Sequence, residues 1–151
     1  MPKHITMPVA VHLLLIKGNE VLLLRRYNTG YEDGNFSVIA GHADGGETVQ
    51  TAMIREVAEE AGINISAEDI HIALVMHRRI EQENAERIDY FLRCEKWQGE
   101  PVNLEPHKCD LLEWHNMDNL QENTITYVRF AIESYLQNRQ FVSFGFENCV
   151  L

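Results

Sequence analysis

The chain has 151 residues, 45% hydrophobic and 24% charged, which is the size and make-up of one soluble globular domain over residues 1–151 with a core of its own. Its 23 acidic side chains against 13 basic ones leave a formal charge of −10. That balance excludes an affinity built on gripping many phosphates of a nucleic acid polymer, so any phosphate handled belongs to a small ligand met locally.

In chain order, the first apolar run, 9–16 with His12 inside it, is far shorter than the roughly 20 residues that span a bilayer. No small-residue cleavage site follows before Lys17, so the expected location is cytoplasmic, with no membrane partner. The run resumes at 21–24 after Lys-Gly-Asn-Glu, which predicts two paired, buried strands joined by a hairpin. "YNTGYEDGN" and "GHADGGE" are turn-rich loops flanking a short strand at 36–40. A helix is predicted over 48–61, closed by Gly62 in a left-handed conformation. Strands are predicted at 71–77 and 88–94, split by the polar "RRIEQENAER", and a shorter one at 112–115. A second amphipathic helix covers 124–138, with Val128, Ala131, Ile132 and Tyr135 at helical spacing. Interleaved strands and helices predict an α/β architecture, a mixed β-sheet covered by helices. Cys94, Cys109 and Cys149 form no CxxC pair, the histidines show no HExxH spacing, and Cys149 stands one place too close to the terminus for a prenylation box.

Within the first helix, "REVAEEAG" puts Glu56, Glu59 and Glu60 at i, i+3 and i+4, where like charges repel. At about 100° per residue they border the apolar stripe of Val49, Met53, Ile54, Val57 and Ala61 rather than oppose it. Carboxylates so placed can converge on a hard divalent cation, to which the preceding glycine-rich loop can add a backbone carbonyl. The alternative is a solvated helix face.

Gly41, Glu47, Arg55-Glu56-Val57, Glu59-Glu60 and Gly62-Ile63, at their spacings, match the Nudix box GX5EX7REUXEEXGU at every specified position. On these residues the chain resembles the Nudix hydrolase superfamily, MutT-like, over roughly 8–138. The resemblance implies an α/β/α sandwich with a central mixed β-sheet, and hydrolysis of a nucleoside diphosphate linked to another moiety. It implies that Glu56, Glu59 and Glu60, with the carbonyl of Gly41, bind Mg²⁺ or Mn²⁺, that Glu56 serves in some members as general base, and that Glu47 and Arg55 brace loop against helix.

Around this core stand further substrate-binding candidates. Arg25 and Arg26 end a strand where several Nudix enzymes contact phosphate, and Arg78 ends another; the alternative for each is a solvated strand end. Glu105 lies in a loop from which some relatives supply a metal-binding or basic Glu, and is otherwise a turn residue before Pro106. Asn123 is a helix cap or turn residue, or a purine contact. Tyr31, Phe36 and Trp114 are stacking candidates or packing residues. The expected reaction turns a normal or oxidised (d)NTP into nucleoside monophosphate and pyrophosphate. ADP-ribose or another nucleoside diphosphate sugar is the alternative substrate, and a non-catalytic nucleotide-binding module the alternative of another class. The expected partner is a small nucleotide, and the expected state a monomer or homodimer.

Overall fold

The turn Lys17-Gly18-Asn19-Glu20 sets the first strand pair: Gly18 takes φ 63°, and β1 (Val9–Lys17) folds back on β2 (Glu20–Arg26) with Lys17 opposite Glu20. The structure, a computed structural model, describes residues 4–146. Beyond the turn the two strands part. The N-terminal half of β1 takes an antiparallel partner of its own, with Ala10 opposite His42 and Leu13 opposite Ile39. The strand expected at 36–40 is therefore two. β3 (Phe36–Ser37) lies on β2, and β4 (Ile39–His42) lies on β1, because a segment running into the fork must leave one neighbour for the other at the buried Val38.

The mixed eight-stranded sheet runs β3–β2–β1–β6–β5–β8, with β4 on β1 and β7 on β2. Here β5 is His71–Ile80, β6 Ala85–Cys94, β7 Cys109–Asn116 and β8 Phe141–Phe144. β1 runs parallel to β6, and β5 parallel to β8. Helix α1 (Val49–Ala61) covers one face, where Val11, Leu13, Leu15 and Ile39 meet Ala52, Met53, Val57 and Ala61. Helix α2 (Thr126–Leu136) covers the other, where Leu14, Leu23 and Phe91 meet Val128, Ala131 and Ile132. Alternate residues of β1 feed the two cores, which is why it reads as an unbroken apolar run rather than an alternating one. The result is the expected α/β/α sandwich.

Boundaries differ from expectation, and one strand is new. "RRIEQENAER" is mostly strand, since Arg78 pairs with Arg87 and Ile80 with Ala85, and only 81–84 turns, with Asn84 at φ 47°. Polar side chains are kept in this ladder by partners across it, Arg78 with Asp89 and His77 with Glu86. α2 starts later than 124 because Thr124 bridges to Phe36 and the Ile125 amide donates to the Phe36 carbonyl. β8 was not expected: "FVSF" is too short to show a period and is a strand only because β5 offers an open edge. No helix among the described residues is long and apolar enough to cross a membrane. Cys94 and Cys109 are buried free thiols, and Cys149 lies outside the described residues.

Candidate active site

Helix α1 is held at both ends. The Thr48 hydroxyl accepts from the Thr51 amide at 3.1 Å, and Gly62, at φ 69°, returns its amide to the Ala58 carbonyl at 3.1 Å. With Met53 and Val57 fully buried, the rotation of the helix is set, and the Glu row falls along the edge of the core. The Glu56 side chain is 15% exposed and Glu59 58%, while one Glu60 oxygen, Oε2, is buried with no hydrogen-bond partner. The Glu56 carboxylate lies hard against the backbone of β4, such that a Cβ at Gly41 would stand 2.2 Å from Glu56 Cδ.

Arg55 ties this row to the loop before the helix. Its Nε and Nη2 donate to the two oxygens of Glu47 at 2.9 and 3.0 Å, Nη1 donates to Glu56 at 2.8 Å, and Nη2 also reaches the His42 carbonyl at 3.1 Å. Glu47 accepts the Asp44 amide as well, at 2.9 Å. The Arg55 hydrogen bonds, then the Asp44 amide, hold the Glu47 carboxyl down at about 2, and the same bonds raise Arg55.

Glu60 moves the other way. Burial first, then its hydrogen bond to Glu56 and the charges of Glu56 and Glu105, push it up to about 9, against an opposing pull from Lys108. A carboxyl raised on folding binds a proton as the chain folds. Its contribution is intact below the ordinary value of 4.5 and is lost as pH rises toward about 9. In EDTA the melting temperature is expected to fall across that window, and Glu60→Gln to flatten the fall; an unchanged slope in the variant would count against the assignment.

Glu56, Glu59, Glu60 and Glu105 line one cavity of about 420 Å³ together with Arg26 and Lys108. Glu105 reaches it because the segment after β6 is strapped to the end of α1: the Val102 amide donates to the Ala61 carbonyl at 3.0 Å and the Leu104 amide to the Glu60 carbonyl at 3.1 Å. These are carbonyls a helix leaves without partners of its own. Among the described residues no three His, Cys, Asp or Glu side chains close around one point. Arg55 draws Glu56 at 2.8 Å and reaches Glu59 at 3.7 Å, while Glu60 is buried beside Glu56. The donor set nevertheless suits a hard divalent cation: oxygen only, with a buried unpartnered Glu60 oxygen and a backbone bare of Cβ beside Glu56.

The other candidates separate. Arg26 lines the cavity, whereas Arg25 turns outward to a two-point pair with Asp110, at 2.8 and 3.1 Å. Arg78 is no solvated strand end: it is 5% exposed and bonded to Asp89 at 2.6 Å. Asn123 does not cap α2, since Ile125 holds that position; its side chain donates to the Gly34 carbonyl at 2.9 Å. Phe36 is buried against His115, and Trp114 stacks on Trp97, so both are packing residues, while Tyr31 stands at a cavity wall under the Arg26 guanidinium. Sequence reasoning missed Lys108, Tyr127, Arg87 and the His12–Asp89 pair. A histidine inside "VHLLL" and an alternating Arg87, Asp89, Phe91 were the available signals for the last two.

A NUDIX domain family model matches residues 6–134. An ADP-ribose pyrophosphatase of Methanocaldococcus jannaschii is 40% identical over 55 residues, 36% of this chain and 32% of that protein. An NAD-capped RNA hydrolase of Stutzerimonas stutzeri is 28% identical over 84% of this chain and 44% of its own length, so the chain spans under half of either relative. An 8-oxo-dGTP diphosphatase of Escherichia coli is 28% identical over 64% of this chain and 72% of its own. Among solved structures, a MutT NUDIX hydrolase from Burkholderia pseudomallei superposes with a TM-score of 0.77 at 23% identity, covering 85% of this chain and 97% of that one. A bifunctional NMN adenylyltransferase/ADP ribose pyrophosphatase from Francisella tularensis, complexed with AMP and a Mn ion, gives 0.65 at 19% identity over 87% of this chain and 41% of that one. With the box running from β4 through the loop into the helix that lines the acidic cavity, and a family model spanning most of its length, the chain belongs to the NUDIX family of hydrolases.

Proposed function

We propose that the chain hydrolyses a phosphoanhydride bond of a (d)NTP, normal or oxidised, to nucleoside monophosphate and pyrophosphate. The observation that carries this reading is the gathering of Glu56, Glu59, Glu60, Glu105 and Arg26 in one cavity against the bare backbone at Gly41. The E. coli 8-oxo-dGTP diphosphatase supports the substrate class, being matched over most of its length. The M. jannaschii ADP-ribose pyrophosphatase, more identical over a shorter stretch, keeps a nucleoside diphosphate sugar as the second reading.

Glu56, Glu59, Glu60 and the Gly41 carbonyl are the groups that would hold Mg²⁺ or Mn²⁺. When bound, such a cation neutralises phosphate charge and makes water a better nucleophile at neutral pH. The protein's own part is positioning. Arg55 fixes the Glu56 carboxylate, Arg26 presents a guanidinium suited to a phosphate oxygen pair, and Glu56 or Glu105 takes the proton of the attacking water. Lys108, 3.6 Å from Glu105, adds positive charge at the rim of the cavity.

EDTA is expected to abolish turnover, and Mg²⁺ or Mn²⁺ to restore it. The deciding experiment is a panel of NTPs, dNTPs, oxidised dGTP and ADP-ribose with Mg²⁺ in ¹⁸O-water, where the labelled product identifies the bond cleaved. Hydrolysis of ADP-ribose alone would replace the first reading by the second, and binding without hydrolysis of any member would leave a non-catalytic module.

A further inference from the structure

Next to the acidic cavity lies another of about 370 Å³, and the two share Arg26, Ala40 and Tyr127. Its charge is reversed. Arg26, Arg78 and Arg87 line it, against Glu83 as the acidic side chain at its wall, in a chain whose formal charge is −10.

The floor is a buried polar network on β1, β5 and β6. Arg78 donates Nε to Asp89 Oδ2 at 2.6 Å, and its guanidinium lies 3.6 Å over the Tyr127 ring. His12 meets the other Asp89 oxygen at 3.1 Å and stacks on Phe91. Burial lowers His12, so it stays neutral and the Asp89 charge answers Arg78. His12 Nδ1 is buried without a hydrogen bond among the described residues. A buried ion pair of this kind is weak evidence for stability, because desolvating two charges offsets their attraction. What it does here is hold a guanidinium edge and a phenol at the cavity wall.

Among the described residues the other two arginines have no such close counter-charge. Arg26 spends Nε and Nη2 on neutral oxygens, the Tyr31 carbonyl at 2.7 Å and the Thr29 hydroxyl at 3.1 Å. Arg87 has an Nε buried without a hydrogen bond among the described residues, a long ion pair of 3.9 Å to Glu83, and His42 at 3.5 Å. Guanidinium forks short of carboxylates, beside a cavity built for a metal-held diphosphate, are matched by a tetrahedral oxyanion.

We propose that this arginine-lined cavity binds a phosphoryl group of the substrate additional to those held at the carboxylates, with Arg87 as the residue that selects for it. The inference rests on the hydrolase reading above and narrows its substrate class. The group has two possible sources: the terminal phosphate of a nucleoside triphosphate, or a phosphomonoester on a nucleoside diphosphate sugar.

The test compares KM and kcat with Mg²⁺ for two matched pairs, NTP against NDP of one nucleoside, and ADP-ribose 2′-phosphate against ADP-ribose. The phosphorylated member of one pair is expected to have a KM lower by about 10-fold or more, the scale of a charged hydrogen bond. Arg87→Ala should erase that preference, with kcat within about 3-fold and the KM of the lesser member unchanged, and Arg87→Lys should restore part of it. The pair that responds identifies the source. Equal effects of Arg87→Ala on both members, or no preference in either pair, would overturn the proposal. If neither these four nor any member of the wider nucleotide panel is hydrolysed, the hydrolase reading fails separately. Calorimetric Kd values of the same four ligands then decide: a preference lost in Arg87→Ala supports the cavity, and its absence overturns it. Should Arg87→Ala unfold, Arg87→Gln carries the same comparison.

Discussion

Glu60→Gln is expected to lower kcat by about 10²-fold or more with saturating Mg²⁺ and substrate, the scale of removing a charge stabiliser or general base, while the metal-free protein keeps its fold. Gln preserves the shape of the side chain and a donor toward Glu56, and removes only the ability to become an anion. That ability is costly in the metal-free chain, where burial and the neighbouring carboxylates push Glu60 up to about 9. It has value only when a cation draws the proton off. The variant should therefore melt higher than wild type in EDTA at pH 8 and gain less from Mg²⁺. Near wild-type turnover, or an equal Mg²⁺ gain in melting temperature, would remove Glu60 from the metal-binding set.

Gly41→Ala is the second large effect expected. Gly41 is not among the residues with positive φ, so its backbone does not require glycine; what requires it is the 2.2 Å between an added Cβ and Glu56 Cδ. The obstacle is the end of a flexible side chain, so the fold survives and the carboxylate moves, away from the Arg55 contact at 2.8 Å. Misplacing a reacting group by about 1 Å can cost about 10²-fold. The measurement is kcat together with the Mg²⁺ concentration at half-maximal rate, beside Gly45→Ala, where an added Cβ meets nothing within 4 Å. A Gly41→Ala enzyme within about 3-fold of wild type would show that Glu56 need not stand where it does.

What could be read from the sequence follows from which interactions are local. The α1 limits were legible because Thr48 and Gly62 act on their own helix, and the Glu row was legible because i, i+3 and i+4 share a face whatever the helix packs against. Glu105, Arg26 and Arg78 could be named only as candidates, since their neighbours come from other strands. Arg25 and Arg26 are adjacent in the chain, yet the alternation of β2 sends one to Asp110 and the other to the cavity. Asn123 looked like a cap because Thr124 looked like the helix start. The long-range bridge to Phe36 delays the helix and gives Asn123 a loop carbonyl instead. β8 exists only through β5, and nothing in four residues could announce that.

The strap across the end of α1 decides which parts of the chain can vary independently. Leu104 is bonded to the backbone of Glu60, and Glu105 is its neighbour, so two carboxylates far apart in sequence are spaced by a short strap of two hydrogen bonds. The cavity-facing side chains of β5, β6 and the turn between them, Arg78, Glu83 and Arg87, take no part in that strap and can be exchanged without touching it. Substituting Glu83 and Arg87 is thus expected to change substrate preference while the hydrolytic half stays intact, and the protection of the Val102 and Leu104 amides from hydrogen exchange would report whether it has.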